Sequence, residues 1–259
     1  MPVRRLTLAG TAVALVLSGC SGSGSDDPAT TTASAPDSPS SSSEASFPTP
    51  SDTGEPFDRE DFVGRIEQAV EDHPTVEITV DVVMDGQTSA SAKGTQDLEQ
   101  DALDMEVVLG GQTLAYRYVD GRYFLAQPPK WLEVDETAAE NPVVKSTLDQ
   151  VQILSMKRQL KAFTAGVTTV GDKGTEDVNG EATTHYTAQV DTAKALEAVD
   201  APPNDTAPKT LLYDVWLDED DLIRKMSFTQ GSAQATMLAD RWGEPVDIEV
   251  PAPSEIAKQ

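Results

Sequence analysis

One thiol and two imidazoles are the side chains of widest chemical reach in this chain, and their surroundings limit each of them. Cys20 is the single cysteine, so no intramolecular disulfide can form and the fold rests on its core. His73 precedes Pro74 and reads as a helix-end residue; His185 stands beside Tyr186 in a strand-like run and reads as structural. A serine triad would have to draw on one of these two, and no G-x-S-x-G is present. HExxH, CxxC and a glycine-rich phosphate loop are also missing from the sequence. Asp218-Glu219-Asp220-Asp221 offers oxygen ligands, but without EF-hand spacing or its glycine it reads as a charged hairpin turn. Trp131, Trp216 and Trp242 read as packing residues rather than a stacking platform. The expectation is a non-catalytic protein with no metal and no cofactor.

The cysteine has a specific setting. Met1-Pro2-Val3-Arg4-Arg5 is a basic n-region, Leu6 to Leu17 a short apolar h-region, and Ser18-Gly19 a small-residue cleavage zone. Leu17-Ser18-Gly19-Cys20 resembles the bacterial lipoprotein lipobox. That resemblance implies cleavage before Cys20 and palmitate-type acyl chains on its thiol and new amine. The apolar run is shorter than the ~20 residues that span a bilayer core. Acyl chains bind at ~0.8 kcal/mol per buried CH2, one marginally and two or three firmly. The expected location is the extracytoplasmic face of the cell membrane, with Cys20 as the lipid anchor.

The chain then divides into a signal peptide at 1–19, a lipidated tether at 20–56 and a folded domain at 57–259. The tether is Ser, Thr, Pro, Ala, Gly and Asp, with too little apolar surface to offset ordering entropy. A coil of that length has an end-to-end distance of about 30–36 Å. The whole chain carries 44 acidic against 19 basic residues, a net charge of −25. Nucleic acid is therefore excluded as a partner, because phosphate binding needs a basic surface. Solubility accounts for the acidity.

The elements that must position any site follow from periodicity. Asp58 is set to cap a helix that carries Phe62, Val63, Ile66, Ala69 and Val70 on one face and stops at His73-Pro74, with Phe57 and Phe62 as its hydrophobic staple. From Val76 the period becomes two. Asp85-Gly86, Gly110-Gly111, Asp120-Gly121 and Asn179-Gly180 mark hairpins. The expected strands are 75–84, 88–96, 102–109, 112–119, 122–126, 167–178, 181–190, 210–217, 222–229 and 232–242. A helix is expected from Asn141-Pro142 to Gly166, carrying Leu148, Val151, Met156, Leu160 and Phe163, and a short one from the cap Asp191. Ten hairpin-linked strands and three helices make an α+β protein. Its expected architecture is a curved antiparallel sheet, a half-barrel, with helices on the concave face and either a packed core or an apolar cavity between them.

Four segments carry a family resemblance. Lys130-Trp131-Leu132-Glu133-Val134-Asp135, Thr183-Thr184-His185-Tyr186-Thr187 with Val190-Asp191, Tyr213-Asp214-Val215-Trp216-Leu217-Asp218 with Leu222-Ile223-Arg224-Lys225, and Arg241-Trp242-Gly243-Glu244-Pro245-Val246-Asp247-Ile248 with Pro251 resemble, in chain order, motifs of the LppX/LprG-type actinobacterial lipoproteins. The resemblance implies a LolA/LolB-like fold and binding of an acyl lipid or glycolipid at the cell envelope, carried or presented without catalysis. An envelope transporter is the transfer partner such a role admits. Val80, Val82, Val107, Leu109, Tyr116, Leu148, Val151, Met156 and Leu160 are the candidate ligand-lining residues. A filled domain that senses or scaffolds envelope proteins is the alternative reading.

Overall fold

The computed structural model describes residues 53–134, 154–204 and 206–257. Cys20, Leu148, Val151, the expected cap at Asn141 and most of the tether lie outside the described residues. The first helix, α1 (Arg59–Asp72), starts as its sequence dictates: the Asp61 N–H donates to the Asp58 carboxylate at 2.8 Å, which satisfies one orphan donor of the first turn. Phe57 and Phe62 do not staple by direct ring contact. Each instead packs at 5.1 Å on the ring of Tyr186, so the staple runs through the sheet.

Twelve strands are described, two more than expected: β1 (Glu55–Phe57), β2 (Thr75–Met84), β3 (Gln87–Asp97), β4 (Ala102–Leu109), β5 (Gln112–Val119), β6 (Arg122–Gln127), β7 (Lys130–Val134), β8 (Val167–Val178), β9 (Glu181–Asp191), β10 (Thr210–Leu217), β11 (Ile223–Gln230) and β12 (Ala233–Asp240). Helix α2 (Met156–Gly166) precedes β8, and α3 (Thr192–Ala198) follows β9 with Asp191 as its cap. The described strands form one open sheet in the order β1-β8-β9-β10-β11-β12-β2-β3-β4-β5-β6-β7, each neighbour antiparallel. The hairpin pairs Asp85-Gly86, Gly110-Gly111, Asp120-Gly121 and Asn179-Gly180 all have positive φ at both residues, which suits the right-handed twist of the strands they join.

The two strands beyond expectation are both at edges. β1 is three residues long and contains a proline, so it has no period to read; Phe57 opposite Val170 and Glu55 opposite Asp172 hold it on β8. Ordered pairing thus reaches upstream of Phe57. β7 is short and follows Pro128-Pro129. It is covered in turn by the C-terminal segment: the Trp131 N–H donates to the Glu255 carbonyl and the Ala257 N–H to the Trp131 carbonyl, each at 2.8 Å. Ile248, Val250 and Ile256 of that segment pack on Ala102, Val119 and Phe124 as a small second core on the outer face.

Candidate functional site

Residues paired directly across an antiparallel sheet share a face, and the register lines apolar side chains into rows. One row runs Tyr186, Val215, Met226, Met237, Val80, Ala92, Val107, Leu114, from β9 to β5. A second runs Phe57, Val170, Ala188, Tyr213, Phe228, Ala235, Val82, Ala90, Leu109. A third joins Ala239, Ile78, Gly94, Met105, Tyr116 and Leu125. Together they make one continuous apolar inner face.

The described helices cover the β8–β10 half of it. Phe62 of α1 and Phe163 of α2 meet with ring centroids 6.3 Å apart, and Phe163 packs edge-on against Tyr213 at 5.4 Å. Burial drives the Tyr213 hydroxyl up to about 12, and raises Tyr116 for the same reason. On the other half, β3 turns its smallest residues inward: Ala90, Ala92 and Gly94 lie between the larger side chains of β2 and β4. A Cβ at Gly94 would overlap the Asp104 carbonyl oxygen, so only glycine fits there. The result, in the relief of the sheet itself, is a trough of small residues between Val80 and Val82 on one side and Val107 and Leu109 on the other, with Ala90, Ala92, Val82 and Val107 all buried. Val80, Leu114, Leu125, Met226 and Met237 remain partly buried beside it.

The candidate lining residues divide accordingly. Val107, Tyr116, Met156 and Leu160 are buried in the main core, with Val80 packed against it. Val82 is buried and Leu109 half-buried at the strand ends. The structure brings these seven to one face; Leu148 and Val151 fall outside the described residues. Two hollows among the described residues have charged linings: one of about 420 Å3 is lined by acids of α1 with Arg65 and by Asp220 and Asp221, the other of about 200 Å3 by Glu77, Arg241 and Glu244.

Sequence reasoning missed the residue that fixes α2 over this face. Gln96 continues the inward series of β3 and is 2% exposed. Its Nε2 donates to the Leu154 carbonyl at 2.7 Å, and its Oε1 accepts from the Met156 N–H at 2.8 Å. A polar residue at an inward position of an alternating strand was the available signal. Both groups it satisfies belong to the start of α2, which Ser155 caps.

The outer face carries the polar residues. His185 stacks on Trp216 with centroids 4.3 Å apart, and its ring nitrogens face Asp214 at 2.8 Å and Glu176 at 3.3 Å. Lys225 lies over the far side of Trp216 at 4.0 Å. This is a cross-strand ladder of register neighbours that braces β9, β10 and β11. Asp218 closes the acidic turn by accepting from Asp220 N and Leu222 N, both at 3.0 Å, as a charged hairpin turn should. Among the described residues no group of His, Cys, Asp and Glu is arranged to hold a metal ion. No described helix is long and apolar enough to cross a membrane.

A family model, the LppX_LprAFG lipoprotein, matches residues 62–248. No curated protein matches the chain. Among solved structures, the lipoprotein LppX of Mycobacterium tuberculosis is similar over 74% of this chain and 98% of its own, with a TM-score of 0.53 at 17% identity. LprF of Mycobacterium bovis is similar over 77% of this chain and 100% of its own, with a TM-score of 0.56 at 16% identity. At these identities the likeness is one of fold.

Proposed function

We propose that this chain, which belongs to the LppX_LprAFG lipoprotein family, is an envelope lipoprotein that holds the acyl part of a lipid or lipoglycan against the inner face of its sheet and carries or presents it without catalysis. One observation carries the reading: the trough of Ala90, Ala92 and Gly94 between the valine walls of β2 and β4. Removing apolar area from water contributes about 25 cal/mol per Å2, so a chain laid along such a floor recovers much of what it loses on leaving a bilayer. The side chains on the inner rows are hydrocarbon, thioether and aromatic, which suits an acyl chain and offers nothing to a charged headgroup. The headgroup stays at the sheet's end, in water. The same reading places diacyl and N-acyl chains on Cys20 and makes residues 21–52 the tether.

Two measurements test it. Native mass spectrometry of the full chain taken from its own host's envelope is expected to show a co-purifying lipid of defined mass, recovered by extraction. A folded chain that neither carries nor takes up lipid, under conditions in which an established lipid carrier loads, would refute the reading. Cys20→Ala is expected to release the protein from membranes or leave it as an unprocessed precursor. Normal processing with detergent-dependent retention of that variant would refute the anchor alone.

A further inference from the structure

Over β11 to β5 the turns at the two ends of the sheet differ in charge; over β8 to β10 they do not, since α3 and the segment after it bring Asp191, Lys194, Glu197, Asp200 and Lys209 to the end opposite the acidic turns. At one end lie the turns 98–101, 120–121, 179–180 and 218–222. They hold Glu99, Asp101, Asp120 and the run Asp218-Glu219-Asp220-Asp221. Acids crowd there closely enough that burial, with Asp61, Asp218 and Asp220 nearby, raises Asp221 despite Arg65.

At the other end, three hairpins stand side by side, because β11, β12, β2, β3, β4 and β5 are consecutive neighbours. Their turns are Gly231-Ser232, Asp85-Gly86 and Gly110-Gly111, and the first two touch, with the Asp85 N–H donating to the Ser232 carbonyl at 3.3 Å. The stretches 83–88, 108–113 and 229–234 contain one charged residue, Asp85, in a chain with 44 acids. The exposed large hydrophobic residues among the described ones, Met84 and Val108, both lie here. The second inner row also ends here, with Val82, Ala90 and Leu109.

The geometry points to this glycine-rich end as the surface that meets the lipid bilayer, with the acidic end turned to the aqueous side. Three arguments select a bilayer as the occupant. First, a rim carrying Met84 and Val108 with Asp85 as its one charged side chain enters the headgroup region at far less cost in desolvated charge than the acidic end. Second, anionic headgroups set up a negative surface potential that repels acids within a Debye length and so orients the molecule. Third, the tether joins nearer this end: Thr53 sits at Gly171, about 13 Å along β8 from the end at Val167 and about 23 Å from that at Val178. The composition expected of the tether gives Cys20 to Thr53 a reach of about 29–34 Å, enough for the rim to touch the membrane that holds the anchor. The consequence for the proposed carrier is that the trough opens toward the lipid source. The inference rests on the Cys20 anchor of the preceding reading.

The test uses the full acylated chain in phosphatidylcholine vesicles. Ser232→Cys places a thiol on the rim and Glu219→Cys places one at the acidic end; both positions are exposed turns. Acylated Cys20 does not react with a maleimide fluorophore, so each variant should take one label. Two labels per chain would mean that Cys20 is free, which refutes the anchor and is read separately from orientation. With lipids bearing a shallow nitroxide, the label at 232 is expected to be quenched about threefold or more relative to that at 219. Equal quenching at the two sites, or more at 219, overturns the inference. Adding Met84→Glu and Val108→Glu to Ser232→Cys is expected to lower quenching to the level seen at 219. Unchanged quenching in that triple variant, with the circular dichroism of the parent, also overturns it.

Discussion

Gln96 is the sharpest test of how the inner face is organised. Gln96→Leu roughly keeps the volume and deletes the hydrogen bonds with Leu154 and Met156, together with the longer one to Met105 Sδ at 3.7 Å. It strands the Leu154 carbonyl and the Met156 N–H, at a helix start where Met156 itself is 1% exposed. Each buried group left without a partner costs about 1–3 kcal/mol. The leucine recovers about one methylene's worth of burial, so a net loss of about 2–4 kcal/mol is predicted. In urea, at about 2 kcal/mol per M, the midpoint should fall by roughly 1–2 M with no change in slope. Hydrogen exchange supplies the local readout: the Met156 amide should be protected in the parent and exchange early in the variant, while amides of β3 lag behind it.

Gln96→Glu separates hydrogen bonding from packing. Its carboxylate still accepts from Met156 N but faces the Leu154 carbonyl with no proton to give. The buried acid should therefore titrate above its unfolded value of about 4.3. A group whose folded value is raised contributes most below the unfolded value and loses that contribution as pH rises through the folded one. So Gln96→Glu should approach the parent's stability near pH 4, where the neutral acid can donate, and fall behind it by pH 7. A Gln96→Leu variant within about 0.5 kcal/mol of the parent, with Met156 protection unchanged, would refute the assignment of Gln96 as the residue that positions α2.

Two further outcomes are expected. A Cβ at Gly171 would overlap the Thr53 carbonyl oxygen; Gly171→Ala should therefore detach β1, cost about 1–3 kcal/mol and open residues near Phe57 to proteolysis, whereas an unchanged melt and cleavage pattern would show that β1 is not held there. Tyr213 has its hydroxyl raised to about 12, so its contribution is intact below pH 10 and is lost as pH rises from 10 to 12, by up to about 2–3 kcal/mol; Tyr213→Phe should flatten that alkaline slope, and an identical slope in the variant would disprove the cause.

What the sequence made legible was whatever depends on near neighbours. Asp58 and Asp191 cap helices because an aspartate side chain reaches an N–H two or three residues on. Asp85-Gly86 and Asn179-Gly180 turn because both residues accept positive φ. The strands they join kept the expected bounds to within a few residues. β1 was not legible, since three residues show no period and its partner Asp172 lies far along the chain. The C-terminal cover was half legible: Val246, Ile248 and Val250 alternate, but nothing local says that they lie on the outer face of β5 and β6. Arg117 shows why. It reaches Asp104 at 2.9 Å, the Glu249 carbonyl at 2.9 Å and the Trp131 ring at 4.9 Å, a meeting of four separate segments. The trough was missed for a different reason. Alanine and glycine in β3 read as weak strand formers, and their value appears only when the register sets them between the valines of β2 and β4.

That same register constrains where partners can bind. A long open sheet exposes two edges, each a template for unwanted pairing. Here one edge carries β1 with Pro56, which has no N–H to offer outward. Beyond it β8 bears Lys173, Glu176 and Asp177, charges that discourage a further strand. The other edge is taken by Glu255 to Ala257 along Trp131. The outer face is occupied too, by the second core on β4 to β7 and by the His185–Trp216–Lys225 ladder on β9 to β11. Among the described residues the large exposed hydrophobics are Met84 and Val108 of the glycine-rich end, and behind them lies the buried apolar inner face. A ligand entering the trough from that end would pass Leu109 and Val82 before it met Val107 and Val80. Substituting the outer pair should therefore alter the rate of loading, and substituting the inner pair the affinity.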